Sequence, residues 1–172
     1  MNILNKLQLL FKAKGKNLLG LTINKKKITK QTPSEPWPGY FYCSHNQLTS
    51  LEFCPQEVGG GFWCSGNQLT SLKGAPSSVG GYFNCYDNQL TSLADIHKCL
   101  KKMNGGFYAH KNPLKSNVIG LMLVVGCNEV RLDNVEVMNI MNKHFKSPFG
   151  HLRLLECQSE LLEAGLEEYA KL

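Results

Sequence analysis

The hexapeptide NQLTSL occurs three times in this chain, at residues 46–51, 67–72 and 88–93, and each copy begins twenty-one residues after the one before. The copies belong to a longer unit with the pattern Phe-x-Cys-x-x-Asn-x-Leu. Self-similarity at a fixed period of about 20 to 50 residues is the signature of repeat architectures, in which one unit cannot bury its own apolar face. The repeat therefore predicts a solenoid whose core is made by stacking successive units.

The recurring positions predict what each coil contributes. Because Phe and Cys alternate with a period of two, this segment is expected to be a short strand with both side chains pointing inward. Asn46, Asn67 and Asn88 then face the interior, where each amide can satisfy backbone groups that cost about 1–3 kcal/mol if left unpaired. The intervening segments EFCPQEVGG and KGAPSSVGG lack helical periodicity and predict turn-forming returns. Each coil is expected to add one strand to a parallel sheet on the concave side.

Three weaker units extend the array when their residues are aligned with the Phe, Cys, Asn and Leu positions of the repeat. Downstream, GGFYAHKNPL and LMLVVGCNEVRL supply Phe107, Ala109, Asn112 and Leu114, and then Leu123, Val125, Asn128 and Val130. Upstream, LTINKKKIT supplies Leu21, Ile23 and Ile28, with Lys26 at the Asn position. These units predict about six coils over residues 18–132.

The segments on either side of the array predict helices that cover the ends of the core, because an open solenoid would expose it. Residues 1–17 place apolar side chains on one helical face. Residues 133–172 predict a helix with Asp133 as its N-cap, followed by a second helix. We expect these two helices to pack over the last coils, within one domain of residues 1–172. The apolar positions are Ile3, Leu4, Leu7, Leu10 and Phe11 in the first segment, and Leu155, Leu162, Leu166 and Tyr169 in the last.

Cysteine content and hydropathy limit the class of protein. The seven cysteines are odd in number and include no CxxC pair, and Cys43, Cys64 and Cys85 recur at one repeat position, where their side chains would run parallel. We therefore expect reduced, buried thiols, with neither disulfides nor a zinc site. No apolar run approaches the roughly eighteen residues of a membrane span. The chain is expected to be soluble and cytoplasmic, and no cofactor is expected.

The longer unit GAPSSVGGxFxCxxNQLTSLxGAP resembles the short leucine-rich repeats of uncharacterised proteins from tailed bacteriophages and enteric bacteria, and the closing ECQSELLEAGLEEYAKL resembles the end of such phage proteins. The likeness covers residues 38–116 and about the last twenty residues. It implies an α/β solenoid of the short leucine-rich-repeat class with helical caps. It also implies binding to another protein. In a phage setting this would be a host defence or toxin factor that is modulated or inhibited in the bacterial cytoplasm.

The outward positions of the predicted strands are rich in aromatic residues, since they hold five of the six tyrosines and one of the two tryptophans. Aromatic rings with a polar edge bury area at little entropic cost and concentrate at binding surfaces. The alternative is that tyrosines suit strands and stack along the sheet to stabilise it. The sequence favours a partner-binding surface formed by Tyr40, Tyr42, Trp63, Tyr82, Asn84, Tyr86, Tyr108 and His110.

Charge is distributed unevenly along the chain. Residues 1–34 hold eight lysines and no acid, whereas residues 151–172 hold five glutamates and two basic residues. The basic end could attract phosphate, so a nucleic-acid-binding accessory protein is an alternative, with Lys25, Lys26 and Lys27 as the contacts. A solvated, solubilising end is the other interpretation. Sequence-specific base readout is disfavoured because it relies on arginine, and the chain has only two. A structural or oligomer-forming component is a third hypothesis.

Catalysis has little support in the sequence. His45, Asp87 and His110 are expected at one edge of the sheet in different coils, where an acid–base pair is geometrically possible. Gly66 occupies the matching place in another coil, and such variation is typical of solvent-facing loops. The sequence therefore predicts no enzymatic activity, no catalytic residues and no metal site.

Overall fold

The computed structural model describes residues 36–172 and the backbone of two short strands, β1 (Thr22–Asn24) and β2 (Lys27–Thr29). In the described part of the chain, the further strands are β3 (Phe41–Tyr42), β4 (Glu57–Val58), β5 (Phe62–Trp63), β6 (Ser78–Val79), β7 (Phe83–Asn84), β8 (Lys102–Tyr108) and β9 (Val125–Arg131). They form one sheet in which all pairings are parallel. The described part of the chain is a parallel β-solenoid of about four turns, which confirms the predicted solenoid but not the predicted six coils.

Each of the regular coils contributes two strands. The first ladder joins β3, β5, β7, the end of β8 and β9, in that order. The second ladder joins β4, β6 and the beginning of β8 through Val58, Val79 and Met103, all of which are buried. The sequence predicted only turns in these returns, because two-residue strands are too short to show a period of two. The prediction of one strand per coil was therefore wrong.

A column of phenylalanine rings fills the core behind the first ladder. Phe41, Phe62, Phe83 and Phe107 stand in register, with successive ring centroids 5.5, 5.1 and 5.0 Å apart. All four are essentially inaccessible to solvent. Burial of one such ring stabilises the fold by about 1.5–3 kcal/mol. The predicted inward column is confirmed.

The asparagine ladder is present between coils. Asn67 is buried, and its Oδ1 accepts hydrogen bonds from the backbone N–H groups of Asn46 at 2.9 Å and Leu48 at 3.0 Å. Its Nδ2 donates to the carbonyl oxygens of Cys43 at 3.0 Å and Cys64 at 2.8 Å. One side chain thus satisfies backbone groups of two coils. The same pattern recurs at the buried Asn88 and Asn112.

The residues predicted as an upstream coil form a hairpin instead. Strands β1 and β2 pair antiparallel in a separate two-stranded sheet, with Ile23 opposite Ile28. Only two residues join them, and so short a connection permits antiparallel but not parallel pairing. Trp37 lies at the beginning of the described stack. Its ring packs edge-on against Phe41, its indole N–H donates to the carbonyl oxygen of Tyr40 at 2.9 Å, and its backbone forms a parallel bridge with Val58 of β4.

The last coil has a different register from the predicted one. Val130, and not Leu123, pairs with Phe107, while Val125 and Asn128 are exposed rather than inward. The pairing of β8 with β9 contains two irregularities that shift the register along the strands. The aligned pattern missed this register because residues 123–130 match the repeat template seven residues before the position that pairs with Phe107.

Asp133 has a ladder role rather than the predicted capping role. Its Oδ2 accepts a hydrogen bond from the backbone N–H of Asn112 at 3.3 Å, which corresponds to the bond that Asn67 accepts from Asn46. The helix N-cap is the next residue, Asn134, whose side chain accepts from the N–H of Val137 at 3.0 Å. Both residue types favour N-caps, so the sequence alone could not choose between the two neighbours.

Helices interrupt and follow the coils. They are α1 (Ile96–Cys99), a 3-10 helix (Ile119–Leu123), α2 (Val135–His144) and α3 (His151–Glu163). The first lengthens one return, so that Phe83 and Phe107 are twenty-four residues apart instead of twenty-one. Helices α2 and α3 pack on each other, α2 also contacts β9, and α3 contacts the 3-10 helix.

The buried face of α3 differs from the predicted one. Leu154, Cys157 and Leu161 are buried, whereas Leu155 and Leu162 are exposed. The predicted pair Leu166 and Tyr169 lies beyond the helix and packs, partly buried, against the core. The predicted helix of residues 1–17 lies outside the described residues. Among the residues that are described, no helix is long and apolar enough to cross a lipid bilayer.

Candidate interaction surface

The outward side of the first ladder carries the aromatic residues that the sequence singled out. We use the name aromatic face for Tyr40, Tyr42, Trp63, Tyr82, Asn84, Tyr86, Tyr108 and His110. Tyr42, Trp63, Asn84 and Tyr108 stand side by side in the strand register. The sheet therefore holds these positions on one surface, with the phenylalanine column directly behind it.

Three rings form a cluster at the first two coils. Tyr42 stacks on Trp63 with ring centroids 4.5 Å apart and an interplanar angle of 2°. Tyr40 leans across to the same indole, at 5.1 Å. Gly61 makes room for this arrangement, because a Cβ at that position would lie 3.2 Å from Trp63 Cη2. We call this group the tryptophan cluster.

A second cluster forms at the last two coils by the same device. Tyr82 stacks on Tyr108 at 5.4 Å, and a Cβ at Gly106 would lie 2.7 Å from Tyr108 Cε1. The Arg131 guanidinium lies over the Tyr108 ring at 4.7 Å and is paired with Glu129, Nε to Oε1, at 3.1 Å. We call this group the tyrosine cluster. Arginine over an aromatic ring is a favourable cation–π geometry.

Asn84 separates the two clusters. It stands in the register between Trp63 and Tyr108, and its Oδ1 accepts a hydrogen bond from the backbone N–H of Tyr86 at 3.2 Å. A ring at this position would have joined the stacks. The surface consequently presents two aromatic clusters with a polar gap at Asn84, a residue that the sequence placed among the outward positions.

A third stack lies where the chain leaves the ladder. Tyr86 and His110 are 5.0 Å apart with an interplanar angle of 6°, and Lys111 Nζ is 6.0 Å from the Tyr86 ring centre. The adjoining turn repeats one left-handed backbone position, occupied by His45, Gly66, Asp87 and Lys111 with φ between 54° and 62°. His45 and Asp87 therefore belong to an equivalent turn position in different coils. Within the described residues, no group of three or more His, Cys, Asp or Glu is arranged to hold a metal ion.

Ring exposure and charge define what the surface offers. Tyr40 and Tyr82 are the most open of its aromatic residues, with 42% and 47% of their area exposed. Burial raises the pKa of Tyr42, helped by Tyr40, and burial also raises the pKa of Tyr108, helped by Glu129. These two hydroxyls therefore stay protonated at neutral pH. Since the rings cover one another's faces, the surface presents apolar ring edges and hydroxyl groups.

The predicted basic contacts are not placed on this surface. Lys25 and Lys26 lie outside the described residues, and Lys27 is described only as backbone within β2. The described cations nearest the rings are Arg131 and Lys111, and Arg131 is already paired with Glu129. The described part of the aromatic face is thus close to electrically neutral.

Sequence reasoning missed the residues that shape the two clusters. Positions 40, 61, 82 and 106 precede the four aligned phenylalanines, and they read Tyr, Gly, Tyr, Gly. The alternation of tyrosine and glycine at these positions could have predicted the ring pairs, because each glycine leaves room beside its strand for the ring of a neighbour. Glu129 and Arg131 carried no signal, because the register of the last coil was assigned incorrectly.

Comparison of this chain with protein-family models, curated proteins and solved structures found no match.

Proposed function

We propose that this chain is a binding module that recognises another protein through the aromatic face. The observation that carries the proposal is the exposure of Tyr40 and Tyr82, each of which belongs to an ordered ring cluster on the sheet. Aromatic anchors surrounded by half-buried neighbours are the arrangement found at the energetic centres of protein interfaces. No chemical reaction is assigned to the chain.

Preorganisation supports this function. A partner that closes over a flexible surface must immobilise side chains, at about 0.5–1.5 kcal/mol for each. Here the Trp63 and Tyr108 rings are already held in place. Each packs against a glycine, Gly61 or Gly106, and stacks on a neighbouring tyrosine. Ring edges and hydroxyls can then supply apolar contact and hydrogen bonds without further ordering.

The near-neutral charge of the face favours a protein over a nucleic acid. Single-strand binding combines stacked bases with a groove of cations that follows the phosphates. On the aromatic face the ring faces are largely covered by neighbouring rings, and the Arg131 charge is balanced by Glu129. The surface therefore offers a polynucleotide few open ring faces for base stacking and little positive charge for its phosphates.

The proposed repeat class, partner and cellular setting rest on the resemblance of this chain to short leucine-rich-repeat proteins of tailed bacteriophages and enteric bacteria. In this proposal the solenoid is a short leucine-rich repeat whose last coil is covered by α2 and α3. The partner is a protein of the bacterial host, the setting is the host cytoplasm, and binding modulates or inhibits a defence or toxin factor. These assignments rest on the repeat unit GAPSSVGGxFxCxxNQLTSLxGAP and the closing ECQSELLEAGLEEYAKL.

The test is affinity capture from bacterial lysate with paired variants. Tyr40→Ser with Tyr82→Ser removes the two exposed rings, while Phe53→Ser removes an exposed ring from a return between coils. We expect a discrete protein to be retained by the wild type and by Phe53→Ser, and to be lost with the tyrosine variant at an unchanged melting temperature. Equal retention by all three chains would contradict the proposal.

A further inference from the structure

Helix α3 presents an apolar stripe to solvent on the side opposite its packed face. Leu152 is 69% exposed and Leu155 is 57% exposed, and Phe149 and Leu162 are also open. Along a helix, positions 152, 155 and 162 fall on one side. We call Leu152, Leu155 and Leu162 the leucine stripe; the Phe149 ring instead lies over the Arg153 guanidinium, at 4.9 Å. Single exposed leucines are ordinary, but aligned ones mark a docking surface.

The surroundings of the leucine stripe are acidic. Residues 151–172 hold five glutamates and two basic residues, and Glu156, Glu163, Glu167 and Glu168 are exposed. An adjoining groove between α2 and α3, of about 640 Å³, is lined by Glu136, Glu160 and Glu163 together with Val135 and Ile140. Its Glu160 is held by Lys143 and His144 at 2.7 and 2.8 Å. The surface combines apolar side chains with negative charge. Because Glu160 and Glu168 are paired with Lys143 and Lys171, this charge comes chiefly from Glu156, Glu163 and Glu167.

This charge selects the kind of occupant. Two copies meeting stripe to stripe would bring their glutamates together, and like-charge contact disfavours such a dimer. A complementary occupant is an amphipathic segment with an apolar face and several cations. Residues 1–17 of this chain have this composition, with Ile3, Leu4, Leu7, Leu10 and Phe11 on one predicted helical face, four lysines and no acid. We call residues 1–17 the basic segment.

We propose that the basic segment of one copy binds the leucine stripe of a second copy. The two elements belong to opposite ends of the chain order, since the basic segment precedes the first coil and α3 follows the last. A contact between two different surfaces of successive copies is heterologous, so it produces head-to-tail assemblies whose size grows with concentration, whereas docking within one copy leaves a monomer at every concentration.

The test measures the mass of the full chain by sedimentation over a hundredfold range of concentration, at low and high salt. We expect the wild-type mass to rise with concentration and to fall when salt screens the lysine–glutamate attraction. Leu152→Ser with Leu155→Ser should remain monomeric at every concentration. These leucines are exposed, so circular dichroism should show the native fold.

Charge variants provide the matched control. Lys12→Glu with Lys14→Glu should abolish assembly, whereas Lys73→Glu with Lys101→Glu, on exposed lysines of the coils, should leave it intact. Mixing the Lys12/Lys14 variant with a Glu163→Lys and Glu167→Lys variant should restore association between the two. A wild type that stays monomeric throughout would overturn the proposal, as would a dimer that persists in the leucine or lysine variants. Equal loss in the Lys73/Lys101 control would also overturn it.

Discussion

The Asn67 amide oxygen accepts a hydrogen bond at 3.0 Å from the backbone N–H of Leu48, a residue of the preceding coil. The same side chain donates to the carbonyl of Cys43 in that coil and to the carbonyl of Cys64 in its own. A single side-chain amide therefore links two successive coils by hydrogen bonds, at positions that follow the ends of strands β3 and β5. This contact explains why asparagine recurs at the position.

Asn67→Leu is expected to destabilise the fold by about 3 kcal/mol. Leucine fills a similar volume but leaves buried N–H and C=O groups without partners, each at about 1–3 kcal/mol. Urea unfolding followed by circular dichroism measures the change. Gln68→Leu, at the neighbouring exposed position, should alter the free energy of unfolding by less than about 0.5 kcal/mol. Equal stability of the Asn67 variant and the wild type would contradict the ladder.

Close approach of neighbouring coils at the Gly-Gly turns gives a second prediction. A Cβ at Gly80 would lie 2.1 Å from the Gly59 carbonyl oxygen, whereas at Gly81 the nearest atom is 3.1 Å away. The atom that a Cβ at Gly80 would overlap belongs to the backbone of the preceding coil and cannot rotate away. Gly80→Ala must therefore push two coils apart, at a cost of about 2–3 kcal/mol. Gly81→Ala should cost clearly less. Thermal melts of the two variants would contradict the coil spacing if their order were reversed.

The buried thiols make stability depend on alkaline pH. Burial raises the pKa of Cys127 to about 12 and that of Cys157 to about 12, whereas an unfolded thiol titrates near about 8.5. Their contribution is fully present below the unfolded pKa. As pH rises above it, the unfolded state loses protons that the native state keeps, so stability falls by about 1.4 kcal/mol per pH unit for each thiol.

The check compares urea unfolding of the wild type and of a Cys127→Ala, Cys157→Ala variant between pH 8 and 10.5. The free energy of unfolding of the variant is expected to fall with pH less steeply than that of the wild type, because the variant lacks the two thiols that ionise only in the unfolded state. Parallel slopes for the two proteins would show that these thiols ionise as readily in the native state as in the unfolded one.

The sequence predicted the regular centre of this fold and failed at its edges. Over residues 41–90 the period of twenty-one correctly placed Phe41, Phe62 and Phe83 in one column and Asn67 and Asn88 in a ladder, whereas among the described residues the Asn46 side chain donates only to Ser44 in its own coil. Beyond the exact copies, alignment of apolar residues misplaced Val125 and Asn128. The same alignment predicted a coil where Ile23 and Ile28 pair in an antiparallel hairpin, because the spacing of apolar residues does not reveal strand direction.

The candidate surface was predicted in position but not in shape. Alternation of inward and outward residues placed Tyr42, Trp63 and Tyr108 on one face correctly. How rings tilt depends on which neighbour lacks a Cβ, and that emerges only when Gly61 and Gly106 are set beside the rings. Leu155 and Leu162 were assigned to the packed side of α3, but both are exposed. Helical periodicity alone does not show which of two apolar faces a helix buries.

The competing nucleic-acid function makes a distinct prediction. If the aromatic face binds protein, replacing Lys25, Lys26 and Lys27 together with alanine should leave partner capture unchanged. Affinity for single-stranded DNA should be no tighter than about 10⁻⁴ M at physiological salt, which is the weak end of non-specific binding. Fluorescence anisotropy with a labelled oligonucleotide measures this. Micromolar affinity that falls steeply with salt and disappears in the lysine variant would favour the competing function.

The most direct test of the aromatic face is site-specific photo-crosslinking in living bacteria, with a photoreactive phenylalanine placed at residue 82 or at residue 53. Tyr82 lies within the tyrosine cluster, and Phe53 is an exposed aromatic residue in a return between coils. We expect position 82 to crosslink one discrete protein and position 53 to crosslink none above background. Crosslinking of the same protein from position 53, with none from position 82, would contradict the account.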